Sequence, residues 1–197
     1  MRGAAKSSCR PFRVYATGTF LRLSARYHAV MQRVPPPDSH HLNAALGWME
    51  LGAHADAVGE LKFIRPKYEQ HPDVLEVRWA VHAAARDLNA AVEAARLLVQ
   101  RAPGRSTGWL HQAYALRRAT DGGVEQALRA LLPAVDKFPT EPVIPFNLSC
   151  YACQMNRLDE ARLWLDRAFK VGKQSELKSM ALTDEDLKAL WPEIQKL

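Results

Sequence analysis

From residue 38 onward, apolar residues recur three and four positions apart. That is the helical period, and no convincing stretch alternates apolar with polar as a half-buried strand does. Pro- and Gly-rich stretches such as "APGRS" at 102–106 and "FPTEP" at 138–142 punctuate the helical segments. The pattern also repeats. Ala57, Ala91, Ala127 and Ala161 open four similar phrases, "AVGELKFI", "AVEAARLL", "ALRALLPA" and "ARLWLDRA", at spacings of 34, 36 and 34 residues. Each phrase follows a turn signal and an amphipathic segment. The longer spacing has a local source, because "TDGGVEQA" spends two extra residues in the turn between paired helices.

These residues resemble the tetratricopeptide repeat (TPR) family, whose 34-residue unit is a helix–turn–helix. Residues 106–139 carry the resemblance through Trp109, Ala113, Ala127, Ala134 and Pro139. Residues 142–173 carry it further through Asn147, Leu148, Ser149, Tyr151, Ala161 and Ala168. Leu75, Ala91, Leu98 and Pro103 match within 72–105, and Trp48, Gly52, Ala57 and Ile64 within 38–71. The resemblance implies an all-α, right-handed α-solenoid of about four such repeats, closed by a C-terminal capping helix over 174–197. One helix pair cannot bury its apolar face alone, so neighbours stack into a continuous core. Pro66 is expected to shorten the second helix of the first pair by removing a backbone donor.

Charge divides the chain. Residues 1–37 hold seven arginines and lysines and no acid, whereas the remaining 20 basic residues face 21 acids. The body is near neutral, so a basic groove for nucleic acid is not expected. No run reaches the length of a membrane-spanning helix. Three cysteines, Cys9, Cys150 and Cys153, make no secreted disulfide framework, and a reducing cytoplasmic setting is expected.

Within the leader, Phe20, Leu23, Tyr27 and Val30 form a helical stripe, with Arg22, Arg26 and Arg33 on another face, before "VPPPDS" stops any helix. Three readings compete: an organelle transit peptide, a basic amphipathic helix for a membrane or protein, or an unstructured extension preceding a start at Met31. At the other end, Thr183 reads as an N-cap, with Asp184, Glu185 and Asp186 in the first turn. Leu187, Leu190, Trp191 and Ile194 follow at helical spacing, Trp191 packs on the last repeat, and Pro192 ends the regular part.

Cys150 and Cys153 form a C-x-x-C inside the first helix of the last repeat. A redox C-x-x-C uses a helix N-terminus, and structural zinc needs four ligands. Neither condition is met, so no metal and no cofactor is expected. Nor does any histidine, glycine or serine motif nominate a catalytic group, and the chain reads as no enzyme.

The resemblance further implies a concave groove lined by the first helices. Its lining would be Leu42, Leu46 and Met49, then Glu76 and Ala80, then Tyr114, Arg117 and Arg118, then Phe146, Cys150 and Cys153. Apolar ends and a charged middle suit an amphipathic helix or extended peptide of a protein partner. Arg117 and Arg118 would take an acidic side chain or a terminal carboxylate; the rival reading leaves them only solvated. Some relatives clamp terminal carboxylates with Lys and Asn, but the matching places here are Leu42, Leu46, Val77, Thr107 and His111. The rival readings are a thiol or metal protein centred on Cys150 and Cys153, and a membrane- or organelle-directed protein acting through its leader.

Overall fold

The computed structural model describes residues 34–197, and among them every regular element is helical. Expectations that concern Cys9 and the leader stripe lie outside these residues. Four helix pairs follow in order: α1 (Asp38–Glu50) with α2 (His54–Glu60), α3 (Pro72–Ala84) with α4 (Leu88–Arg101), α5 (Ser106–Leu116) with α6 (Val124–Leu131) and a short α7 (Ala134–Lys137), and α8 (Val143–Gln154) with α9 (Leu158–Val171). The two helices of a pair pack together, and α2, α4 and α6 each pack on the first helix of the next pair. The chain is a helical solenoid of the tetratricopeptide type.

The four aligned alanines lie inside the core. Ala57, Ala91, Ala127 and Ala161 are fully buried. Each small side chain lets two helices approach and leaves no space to grow.

The intrapair turns explain the repeat length. Gly52, Arg86 and Asn156 hold equivalent places in the first, second and fourth pairs, all left-handed with φ of 75°, 61° and 59°. In each case the next amide reaches back five residues: Ala53 N–H to the Trp48 carbonyl, Asp87 to His82, Arg157 to Ala152, all at 2.9 Å. This is the hydrogen bond that closes a Schellman turn. In the third pair the equivalent bond runs from Gly123 N–H to the Leu116 carbonyl, also 2.9 Å, across seven residues. The two extra residues of the 36-residue spacing lie inside that loop. Gly122 is required there, because a Cβ would fall 1.9 Å from the Leu116 oxygen.

Prolines set the second helices. α2 stops at Glu60, passes into a 3-10 turn over Leu61–Phe63, and Pro66 opens another over Pro66–Tyr68. Arg65 ties this irregular stretch back to α1, giving Asp38 its backbone N–H and its Nε, each at 2.7 Å. Pro133 interrupts the third pair likewise, between α6 and α7.

The C-terminal region departs from the single helix expected over 174–197. It contains α10 (Gln174–Ala181), a 3-10 stretch over Glu185–Leu190 and a last turn, α11 (Trp191–Ile194). Asp184, not Thr183, caps the 3-10 stretch by accepting the Asp186 N–H at 3.0 Å. The Thr183 hydroxyl instead donates to the Met180 carbonyl behind it, at 2.9 Å. Pro192 lies in the first turn of α11 rather than ending a helix. Its missing N–H is harmless in a first turn, which is why the break precedes it. Trp191 packs on the core of the last repeat and donates its indole N–H to the Ala181 carbonyl at 2.9 Å, as expected.

Candidate functional site

The nominated groove residues all lie on the first helices, α1, α3, α5 and α8, or at the end of α5. The structure treats its two ends differently. On α1, Leu42 is buried in the core shared with Ala57, Ile64 and Val74, and does not reach a surface. Leu46 and Met49 are half-buried. On α3, Glu76 is half-buried and accepts the Thr107 hydroxyl at 2.8 Å, with the Arg105 guanidinium Nη1 at 3.3 Å. Arg105 also binds Asp73 at 2.8 Å. The charge expected mid-groove is thus a polar network joining α3 to the start of α5.

Ala80 and Tyr114 are half-buried beside an aromatic stack that sequence reasoning missed. The Trp79 ring lies 3.6 Å from that of His111, nearly parallel, and donates its indole N–H to the His111 carbonyl at 3.1 Å. Tyr114 meets Trp79 edge-on at 5.7 Å, and the Arg118 guanidinium covers Tyr114 at 3.9 Å. Burial pushes the His111 pKa down to about 3, so the ring is neutral. The only sequence signal was a Trp and a His 32 residues apart, close to one repeat.

At the far end the expectation needs correcting. Phe146, Cys150 and Cys153 are buried rather than lining an open groove. The 3-10 stretch Glu185–Leu190 packs on α8, and its Leu187 and Leu190 join Phe146, Cys150 and Cys153 in one apolar cluster. The cause is electrostatic as well as apolar. Arg117 grips both oxygens of Asp186, with Nη2 at 2.6 Å from Oδ1 and Nη1 on Oδ2. Gln154 donates to the Asp186 carbonyl at 3.5 Å. Arg117 therefore does bind an acidic side chain, but one from its own chain.

Cys150 Sγ, Asp184 and Asp186 offer ligand atoms within 4.8 Å of one another. A thiol and two carboxylates are a plausible donor set on paper, yet the electrostatics oppose it. Both oxygens of Asp186 are held by Arg117, which already supplies the positive charge. Burial, followed by the nearby carboxylates, pushes the Cys150 thiol well above its ordinary range, and burial raises Cys153 too. A metal ligand or nucleophile must be a thiolate, and this site disfavours one. Burial likewise raises the Asp184 carboxyl, whose Oδ2 lies 3.7 Å from the Cys150 sulfur.

A separate cleft of about 520 Å³ lies between α9 and α11, with Leu165, Phe169, Leu190 and Ile194 in its wall. Its basic residues are committed, Arg162 to Glu193 at 2.8 Å and Lys170 to Asp166 at 2.6 Å. Among the described residues no helix is long and apolar enough to cross a membrane.

No protein-family model matches this chain. No curated protein matches it either. Solved structures do. A double mutant of MamA from RS-1 superposes with a TM-score of 0.59 at 18% identity, covering 84% of this chain and 85% of its own. A thermophilic TPR protein of Thermus thermophilus superposes with a TM-score of 0.55 at 19% identity, covering 81% of this chain and all of its own. At such identities the likeness establishes the fold.

Proposed function

We propose that this protein is a non-enzymatic interaction module that binds an amphipathic peptide or helix of a protein partner across α1, α3 and α5. The binding face is the part of the expected groove that the C-terminal segment leaves uncovered. Leu46, Met49, Ala80 and Tyr114 supply apolar contacts, and Glu76 and Arg118 flank them with charge. The observation that carries this reading is intramolecular. Residues 184–190, an acidic and apolar segment, lie on α8 with Asp186 in the grip of Arg117. An acidic and apolar segment thus already packs on one of the first helices, α8, which supports extending the same chemistry to the uncovered ones. Four repeats give length for a short peptide, and a cytoplasmic location accompanies this reading.

The test is peptide display against the full chain, followed by affinity measurement with the Tyr114→Ala/Arg118→Ala variant. Selected peptides should combine apolar anchors with acids, and the variant should weaken them at least about tenfold while still unfolding cooperatively above the assay temperature. Undiminished affinity would exclude this face. Arg117 is unsuitable for the test, because its loss would also release the C-terminal segment.

A further inference from the structure

Of the ten aspartates in the chain, Asp121 alone precedes a glycine, and no asparagine does. Seven of the others lie within α-helices or the 3-10 stretch, where the backbone is held on both sides. Asp87 and Asp184 stand just outside, and both are engaged as caps: they accept the Ala90 N–H at 3.1 Å and the Asp186 N–H at 3.0 Å. Asp121 has neither protection. It lies in the turn between α5 and α6, is exposed, and its carboxylate makes no hydrogen bond or ion pair among the described residues. Gly122 after it has no side chain to shield the amide nitrogen between them. The turn itself has no slack. Gly122 N–H donates to the Ala119 carbonyl at 3.1 Å, and Gly123 N–H to the Leu116 carbonyl at 2.9 Å. Gly122 lies so close to Leu116 that a Cβ would fall 1.9 Å from its oxygen.

We propose that the Asp121–Gly122 bond is a modification site, where the backbone isomerises spontaneously through a cyclic imide and the product loosens the α5–α6 turn. The Gly122 amide nitrogen attacks Asp121 Cγ. A C–N bond forms, and the carboxyl hydroxyl leaves with the amide proton as water. Water then opens the five-membered ring. Breaking the new Cγ–N bond restores aspartate. Breaking the original bond, between the nitrogen and the main-chain carbonyl carbon, gives isoaspartate. One water is lost and one is gained, so the sequence needs no oxidant, metal or cofactor. The consequences follow from the turn. The imide nitrogen carries no hydrogen, so the bond from Gly122 to Ala119 is given up in the first step. In isoaspartate the main chain runs through Cβ and Cγ, one methylene longer, and the free carboxylate sits on Cα. That methylene enters a loop whose ends are joined by the Gly123–Leu116 bond, with Arg117 and Arg118 at its start. The loop that makes the third repeat two residues longer is also where the chain ages.

Ageing the folded, full-length protein at neutral pH tests this, with a synthetic peptide of residues 119–129 as the unprotected standard. Trypsin releases the same segment, by cleavage after Arg118 and Arg129, and Asp121 is its only aspartate. Fragmentation that tells isoaspartate from aspartate gives the rate. The native chain should isomerise at Asp121 at no less than about one tenth of the peptide's rate, because an exposed turn opens at little cost. Isoaspartate at the other nine positions should stay well below it. In water labelled with heavy oxygen, the product should carry the label. Asp121→Asn should form the same imide faster, with ammonia as the leaving group. Asp121→Glu, whose side chain would have to close a six-membered ring, should form almost none. In the isomerised protein, separated by ion exchange, the Gly123 amide should exchange with deuterium faster than in the parent. A native rate below one tenth of the peptide's would overturn the proposal, since the folded turn would then protect Asp121. Isomerisation spread evenly over the aspartates would overturn it too. Unchanged exchange at Gly123 would overturn the claim that the product loosens the turn.

Discussion

Arg117, at the end of α5, holds both carboxylate oxygens of Asp186, sixty-nine residues further along the chain. Both side chains are largely withdrawn from water, Arg117 at 10% and Asp186 at 4% exposure. The pair joins the third repeat to the segment that closes the fourth. Its value is less in net attraction than in what happens when it is broken, since a buried charge left alone is costly. Arg117→Ala should therefore destabilise the protein by about 3–5 kcal/mol, read from urea unfolding. The double variant with Asp186→Ala should lose less than the sum of the two single losses. Full additivity would mean the pair is not coupled.

Ala161 is fully buried where α8 and α9 cross, and its carbonyl accepts the Ser149 hydroxyl at 2.8 Å. Ala161→Leu should overpack this crossing and cost about 1–3 kcal/mol. A melting curve like the parent's would place the repeat register elsewhere.

Arg86 occupies a left-handed turn position, where Gly52 stands in the preceding pair. A side chain with a Cβ is strained there by about 1–2 kcal/mol. Arg86→Gly should raise stability by about 1 kcal/mol, within the gain expected when such strain is relieved. A fall in the unfolding midpoint would show that Arg86 makes a compensating contact.

The His111 pKa, about 3 in the folded chain, lies below its ordinary value of 6.5. The unfolded state thus binds a proton that the folded state refuses, and stability falls as pH drops from about 6.5 towards 3. The slope from this one group approaches about 1.4 kcal/mol per pH unit. The raised Asp184 carboxyl opposes it, because the folded state there takes up a proton more readily. Comparing wild type with His111→Phe isolates the histidine: the wild type should lose more stability over that window. Parallel pH profiles would contradict a buried neutral ring.

Cys150 and Cys153 are buried, and both thiols are pushed upward. In a Cys9→Ser background, a thiol reagent at neutral pH should react with neither until the chain unfolds. Rapid labelling of either in the native protein would reopen a chemical role.

Much of the fold was legible because it is written in spacing. The aligned alanines, the two-residue excess at Gly122 and Gly123, and the effect of Pro66 are local features with local causes. The site was less legible, for a physical reason. Whether Phe146, Cys150 and Cys153 face water depends on residues 185–190, whose course turns on Asp184 capping and on Arg117 far away in sequence. No periodic pattern encodes that contact. The notion that Arg117 seeks an acid was sound chemistry, but sequence could not say that the acid was internal. The Trp79–His111 stack escaped notice because its partners lie on different repeats and form no motif.

The proposed binding face on α1, α3 and α5 is tested most directly by a hydrogen-exchange footprint. The full-length protein would be compared with and without a saturating peptide obtained by display. The account predicts new protection at residues 46–49, 76–83 and 114–118, with α9 unchanged. Protection confined to α9 and α11, around the cleft at Phe169, would contradict it.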